Sequence, residues 1–437
     1  MSSTVKSDKI QGATGTTVTV PSGHNLVATD ALKADTIQAS SDDVLTIPSS
    51  LNVTGYSANV SGNVSVTRSL AVGYTDGRTP QANLDVSGNT YVSGASTLTG
   101  GAIISGQQMP DEGALTDRNA IINGNFDIWQ RATSYTDVAG IWNYGFADRW
   151  STHNDGADAG TFTRSTTVPN TGSTYSLLMT GATSVTNTNM LQKVESHNLQ
   201  AIRQADSYTI SCWMRSATAA KAINVNCLLP NALDNYSGYN QTAGSTSTTI
   251  SGNGTSSAAA WTLTDADTWY YCTATHNNYD SLTNNANGWA LFLAVVSQTS
   301  ASHQVYLSQV QVEPGLVATP YQFQKPAEVL QQCQRYYQKS YAVGTDPGTS
   351  VGSYLQAKVD NSTYNFIKIN FSPIFRATPT IVTYSTTGAS GKLRNLSAGT
   401  DIDETVAGYA EGIIVHNASA VTSGQNIAFH YTADAEI

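Results

Sequence analysis

Trp289-Ala-Leu-Phe-Leu-Ala-Val-Val296 decides the fold. In an extended chain, successive side chains point to opposite faces. Trp289, Leu291, Leu293 and Val295 therefore share one side, and Phe292 and Val296 share the other. Both sides are apolar, as in a strand buried on both faces. Tyr208, Ile210, Cys212 and Met214 alternate with polar neighbours, as do Ile223, Val225, Cys227 and Leu229. These sets turn inward and make Cys212 and Cys227 small buried hydrophobes. Short strands of this kind, parted by long Asn/Gly/Thr/Ser loops, predict a jelly-roll sandwich over residues 119–325.

The rest of the composition agrees. Of 437 residues only 12% are charged, against 40% hydrophobic. That content supports real cores, and the polar share of Ser, Thr, Asn and Gln suits strands and turns better than helices. The expected class is all-β with one short helix. That helix runs from Lys325 to Lys339: Pro326 suits its first turn, and Val329, Leu330, Cys333, Tyr336 and Tyr337 recur at three-and-four spacing. Residues 326–340 then link to a smaller β-sandwich over 341–437, with strands expected at Phe366–Phe371, Thr380–Tyr384, Gly412–Val415 and Ile427–Tyr431.

Upstream lies a different pattern. An apolar residue recurs every six positions at Val86, Val92, Leu98 and Ile104, each followed two places later by glycine. Val60, Val66 and Val72 echo it. A fixed short period marks stacked coils, and a stable stack needs about three or more repeat units. Four hexads make little more than one turn, so partner chains must complete the wall. A three-fold homo-oligomer, each copy giving one face of an interwoven β-shaft over 51–118, is the simplest closed answer. Residues 1–50 carry short strands with no core of their own and form a separate N-terminal segment.

The net charge of −10 excludes the basic face that nucleic-acid binding requires. No apolar h-region stands at the N-terminus and no stretch has the length of a membrane span. The expected protein is made in a cytoplasm without membrane insertion. Cys212, Cys227, Cys272 and Cys333 show no C-x-x-C spacing, so neither a metal site nor a cofactor is expected.

Four stretches resemble bacteriophage tail fibres, the receptor-binding proteins of phages of aquatic bacteria. Thr16-Thr-Val-Thr-Val-Pro-Ser-Gly-His-Asn-Leu26 looks like a fibre start. Ala71-Val-Gly-Tyr74 with Leu84-Asp-Val-Ser-Gly88 is similar to a shaft element. Asn119-Ala-Ile-Ile-Asn-Gly-Asn-Phe-Asp-Ile-Trp-Gln-Arg131, with Ala147-Asp-Arg-Trp150, resembles the opening of the fibre jelly roll. Val310-Gln-Val-Glu-Pro-Gly-Leu-Val-Ala-Thr-Pro-Tyr321 resembles its close, and Cys333-Gln-Arg-Tyr-Tyr-Gln-Lys-Ser340 follows as in such proteins. The resemblance implies a homotrimeric virion protein. Its N-terminus would dock to an adaptor or nozzle protein of the tail, and its C-terminal domains would meet a host glycan or lipopolysaccharide.

Asp127, Trp129, Arg131, Asp148, Arg149 and Trp150 read as structure, with Asp148 and Arg149 finding opposite charges inside the motif. His153, Asp155 and Asp158, and likewise Asp401, Asp403 and Glu404, lack the spacing of a calcium loop. Neither a G-x-S-x-G elbow nor an H-E-x-x-H pair occurs, so the expected protein is not an enzyme. A depolymerase, with two carboxylates flanking a glycosidic bond, and a purely structural tail component are the alternatives. Glycan binding needs exposed rings beside amides. Trp142 with Tyr144, and Tyr236 with Tyr239 in an expected loop, have that chemistry; packing against a neighbouring chain fits these tyrosines equally. Light scattering on the purified chain is expected to give three times the chain mass, and a monomer at micromolar concentration refutes the shared shaft.

Overall fold

The computed structural model describes residues 70–72, 84–86, 103–104, 107–111, 113, 116–137, 140–244, 247–251, 254–257, 260–277, 287–359, 366–417 and 421–437. The chain divides into two compact units, Met1–Ala95 and Ser96–Ile437.

In the first unit, β1 (Leu70–Val72) and β2 (Leu84–Val86) pair in parallel, with Val72 opposite Val86. Val60, Val66 and Val92 lie outside the described residues, as does Leu98, and so does the whole N-terminal segment 1–50. In the second unit, β3 (Ile103–Ile104) turns back antiparallel on β4 (Gln107–Gln108). Ile104 thus sits in a short hairpin opposite Gln107.

The sandwich that follows takes its strands in chain order. They are β5 (Ser134–Thr136), β6 (Ser151–Gly156), β7 (Thr161–Ser165), β8 (Ser176–Thr180) and β9 (Val185–Val194), then the short helix α1 (Gln200–Gln204). After it come β10 (Ser207–Ser216), β11 (Lys221–Ala232), β12 (Asn235–Gly244), β13 (Ser247–Ile250) and β14 (Thr255–Ser257). β15 (Ala260–Leu263), β16 (Trp269–Asn277), β17 (Trp289–Val296) and β18 (Gln304–Pro314) complete it. One sheet has the order β13-β16-β10-β18-β8-β7-β5, and the other β14-β15-β11-β17-β9-β6 with β12 added beside β11. The two sheets share one core. Ile210, Cys212, Met214, Leu307 and Val312 from the first meet Ile223, Val225, Leu291, Leu293 and Val295 from the second. The period-two inward face read from the sequence is this core.

The opening motif packs into the core of the sandwich. Asn123 adopts φ 57°, a left-handed conformation that asparagine tolerates better than most residues. Its amide bonds the carbonyls of Ile128 and Asp148 and accepts from the Ile128 N–H. A Cβ on Gly124 would lie 2.0 Å from the Val310 carbonyl oxygen, so only glycine lets the motif lie against β18. Trp129 and Trp150 are buried anchors.

The helix is shorter than its periodicity suggests. α2 spans Pro326–Gln334, and Tyr337–Lys339 forms β19. Tertiary pairing overrides the local pattern here. β19 joins β26, Tyr337 opposite Asp434, while the Arg149 guanidinium covers the Tyr336 ring at 3.4 Å and Arg131 covers Tyr337 at 3.9 Å. The C-terminal strands are β20 (Leu355–Lys358), β21 (Phe366–Asn370), β22 (Thr380–Tyr384), β23 (Lys392–Asn395), β24 (Thr400–Tyr409), β25 (Gly412–Asn417) and β26 (Asn426–Asp434). They form a sheet of order β19-β26-β23-β24-β25-β21, with β20 and β22 also on β26. It has a core of its own around Phe371, Leu393, Ile413, Val415 and Phe429.

Charge joins the chain's last residues to the opening motif. Arg131 pairs with Asp148 at 3.1 Å, with Asp434 at 3.0 Å and with Glu436 at 3.3 Å. Arg149 pairs with Glu436. The partner expected for Arg149 within the motif thus comes from the far end of the sequence. Burial pushes the Asp148 carboxyl up to about 7, against the pull of Arg131. A second knot holds Glu195 between Arg335 and Arg376 with the Tyr336 hydroxyl on it. Burial works to raise this carboxyl, but Tyr336 and Arg335 hold it below the usual range. Removing one partner of a buried ion pair costs about 3–5 kcal/mol, because the other charge stays buried. Glu436→Ala is expected to lower unfolding free energy by about that much in denaturant titration. Arg215→Ala, which breaks the pair to the exposed Asp267, is expected to cost under about 1 kcal/mol.

Candidate functional site

The outer face of β6, β9, β17 and β11 carries the side chains that the core does not use. Along β17 these are Ala290, Phe292, Ala294 and Val296. Register places Asn187 opposite Val296, and Asn189 opposite Ala294, on the β9 side. On the β11 side Asn224 lies opposite Ala294 and Asn226 opposite Phe292. An apolar strip therefore runs along β17 between two rows of amides. Neighbouring strands lie about 4.8 Å apart, so the rows stand roughly 10 Å from each other.

The amides differ in their commitments. Asn187 donates to Asp155 at 3.0 Å. Asn189, Asn224 and Asn226 make no side-chain hydrogen bond among the described residues, although Asn189 is only 5% exposed. Amides that keep their donors and acceptor free beside an apolar strip are what a polar ligand would use.

Trp142 stands at the margin of the strip. The flanking Asn143 bridges to Thr152 of β6, which carries the indole over the sheet. Its ring lies 5.3 Å from His153 and 6.3 Å from Phe292, and it remains 37% exposed. His153 in turn contacts Asp155 at 3.1 Å. The sequence marked Trp142 as a candidate, and the structure gives it an open face.

The other three candidates fare differently. Tyr144 reaches the same face, but its hydroxyl donates to the Ile437 carbonyl at 3.0 Å and Arg131 approaches its ring at 5.8 Å. Tyr236 stands in β12, not in a loop, and is buried. Its hydroxyl donates to the Val194 carbonyl at 2.5 Å and accepts from the Trp289 N–H at 3.1 Å. It packs with Leu191, Ala290, Leu228, Phe292 and Ile437, so it offers no free ring and is a core residue of this face. Tyr239 also lies in β12, opposite Pro230, with its side chain outside the described residues. Strand pairing with β11 explains both corrections: alternation in β12 is masked by its Asn, Ser and Gly content.

Ile437 closes one end of the strip. Its carbonyl accepts from Tyr144 and, at 2.5 Å, from the Lys193 ammonium. Burial, opposed by Glu436 and reinforced by Arg149, holds Lys193 down to about 8. Beyond Ile437 lies a cavity of about 380 Å³ lined by Lys193, Asp234, Asn235, Ser237, Arg376 and Glu436, among others. Three further loop and strand carboxylates, Asp158, Asp401 and Asp403, are engaged locally. Asp158 accepts from the Ser184 N–H, Asp401 pairs with Arg394, and Asp403 with Lys392. Among the described residues no group of three His, Cys, Asp or Glu could hold a metal ion. No described helix is long and apolar enough to cross a membrane.

The amide rows were not found from sequence. Asn187 and Asn189 on one strand, and Asn224 and Asn226 on another, are each two apart; that spacing is the signal that could have revealed them.

No protein-family model matches this chain, and no curated protein is similar to it. Among solved structures it is similar to a putative sugar binding protein from Bacteroides thetaiotaomicron, at 13% identity, over 45% of this chain and 100% of that one, with a TM-score of 0.31. It is also similar to TmCBM61, solved with β-1,4-galactotriose, at 11% identity over 45% and 99% of the two chains, TM-score 0.26. A third is the enzymatically active domain of bacteriophage CBA120 tailspike protein 4, at 10% identity over 45% and 21%, TM-score 0.24.

Tyr236→Phe separates the packing role from a ligand role. Removing the hydroxyl leaves the buried Trp289 N–H without this acceptor, a loss of about 1–3 kcal/mol that denaturant titration should register.

Proposed function

We propose that this chain binds glycan on the outer face of β17, and that it does so as a phage tail fibre. The carrying observation is the open Trp142 ring beside an apolar strip flanked by the uncommitted amides Asn189, Asn224 and Asn226. A sugar ring has a C–H face and an equatorial belt of hydroxyls. The indole and the strip suit the first, and amides on both sides, each with donors and an acceptor, suit the second. The opening and closing motifs of the sandwich, with their fibre likeness, support the virion setting. In that setting the N-terminal segment docks to the tail, the hexads make a trimeric shaft, and three copies convert weak contacts into avidity.

Binding without hydrolysis is the favoured reading of this face. Glycosidases commonly use two carboxylates. Beside the strip, Asp155 carries a carboxylate that His153 and Asn187 hold. The low charge of the face makes recognition less sensitive to salt than an ion-pair surface.

The test uses the full chain and purified host envelope polysaccharide in a co-sedimentation or calorimetric assay. Trp142→Ala is expected to weaken binding at least tenfold with an unchanged melting temperature, and Tyr409→Ala, at the exposed end of β24 beside the turn to β25, to have no effect. Equal binding by wild type and the Trp142 variant overturns the assigned site. Release of new reducing ends favours the depolymerase instead.

A further inference from the structure

We infer that the strip takes a short stretch of a neutral glycan, about two or three sugars long, and that Ile437 sets that length; this rests on the glycan-binding reading above. The floor runs from Val296 to Phe292, two partly exposed side chains with the small, buried Ala294 between them. At roughly 3.3 Å per residue, this is about 13 Å, the reach of two or three pyranose rings. At the Val296 end the next residue, Ser297, is exposed. At the other end Ile437 packs against the buried cluster of Leu191, Tyr236 and Ala290, on which Leu228 and Phe292 also rest. It is pinned by two donors on its carbonyl, the Tyr144 hydroxyl and the Lys193 ammonium. The Ile437 side chain is therefore a stop placed across the strip.

Two observations define the ligand class. The four amides beside the floor, Asn187, Asn189, Asn224 and Asn226, are uncharged, and three of them have no partner. Asn189 is more than nine-tenths buried and still unpartnered. At the Val296 end the Lys221 ammonium is committed to the Val296 and Ser297 carbonyls. Lys193, at the other end, is committed to Ile437. A carboxylated or sulfated sugar would find no uncommitted counter-charge there, whereas a neutral sugar would satisfy the amides with its hydroxyls.

The stop also separates the strip from the cavity of about 380 Å³ that Lys193, Asp234, Ser237 and Arg376 help to line. Ile437 borders both. Removing its side chain joins the two spaces and lengthens the site.

The experiment uses a partial hydrolysate of the polysaccharide to which the full chain binds, sized into fragments of two to six sugars and titrated by calorimetry. For wild type, affinity is expected to rise from two to three sugars and then to level off. Ile437→Gly is expected to move the plateau one or two sugars longer. Val296→Trp, which fills the open end, is expected to move it shorter, and it keeps the test available should the Ile437 variant be unstable. A wild-type affinity that climbs steadily to six sugars overturns the stop, as does a plateau that neither variant moves. A chain that binds the polysaccharide but loses to acidic fragments overturns the neutral class. Failure of the polysaccharide itself to bind is a different outcome, and it overturns the parent reading.

Discussion

The carboxylate of Glu436 lies between two buried guanidinium groups, Arg131 and Arg149, and much of the structure follows from that placement. Both arginines belong to the motif that opens the sandwich, and both stack on tyrosines that follow α2. One carboxylate thereby fixes the first turn of the domain, the exit of its helix and the last residues of the chain. Buried charges of this kind are expensive unless each finds a counter-charge in good geometry. Here the cost is offset only when all three segments are in place.

That constraint reaches the candidate site. Because Glu436 is anchored, Ile437 must lie over the outer face of the second sheet, where Tyr144 and Lys193 hold its carbonyl. The apolar strip along β17 is therefore bounded at one end by a residue nearly 150 positions downstream, about a third of the chain away. The same sheet supplies core on its inner face and the strip on its outer face. Trp289, Leu291, Leu293 and Val295 take the first role, and Phe292, Ala294 and Val296 the second.

Some of this was legible early. The strand at 289–296, the inward sets at 208–214 and 223–229, and the late strands near 366, 380, 412 and 427 follow from period-two alternation, which is a local property. Trp142 was legible as a candidate because a large ring in an Asn- and Gly-rich stretch has few local partners. Tyr236 looked the same and is the opposite, since its hydroxyl bonds Val194 and Trp289, residues 42 and 53 positions away. The helix ends early for a similar reason: Tyr336 and Tyr337 keep the helical spacing, but the guanidinium groups and β26 claim them first.

The sequence by itself determined that the chain is β, where its longest strands run and which of their faces turn inward, because these depend on the alternation of neighbouring side chains. Only the tertiary structure decided which residues share the outer face, that three asparagines on two strands stand unpartnered beside one apolar strip, and that Ile437 bars its end. Those facts depend on strand order and register, which are set by contacts between residues far apart in the chain, and no local pattern encodes them.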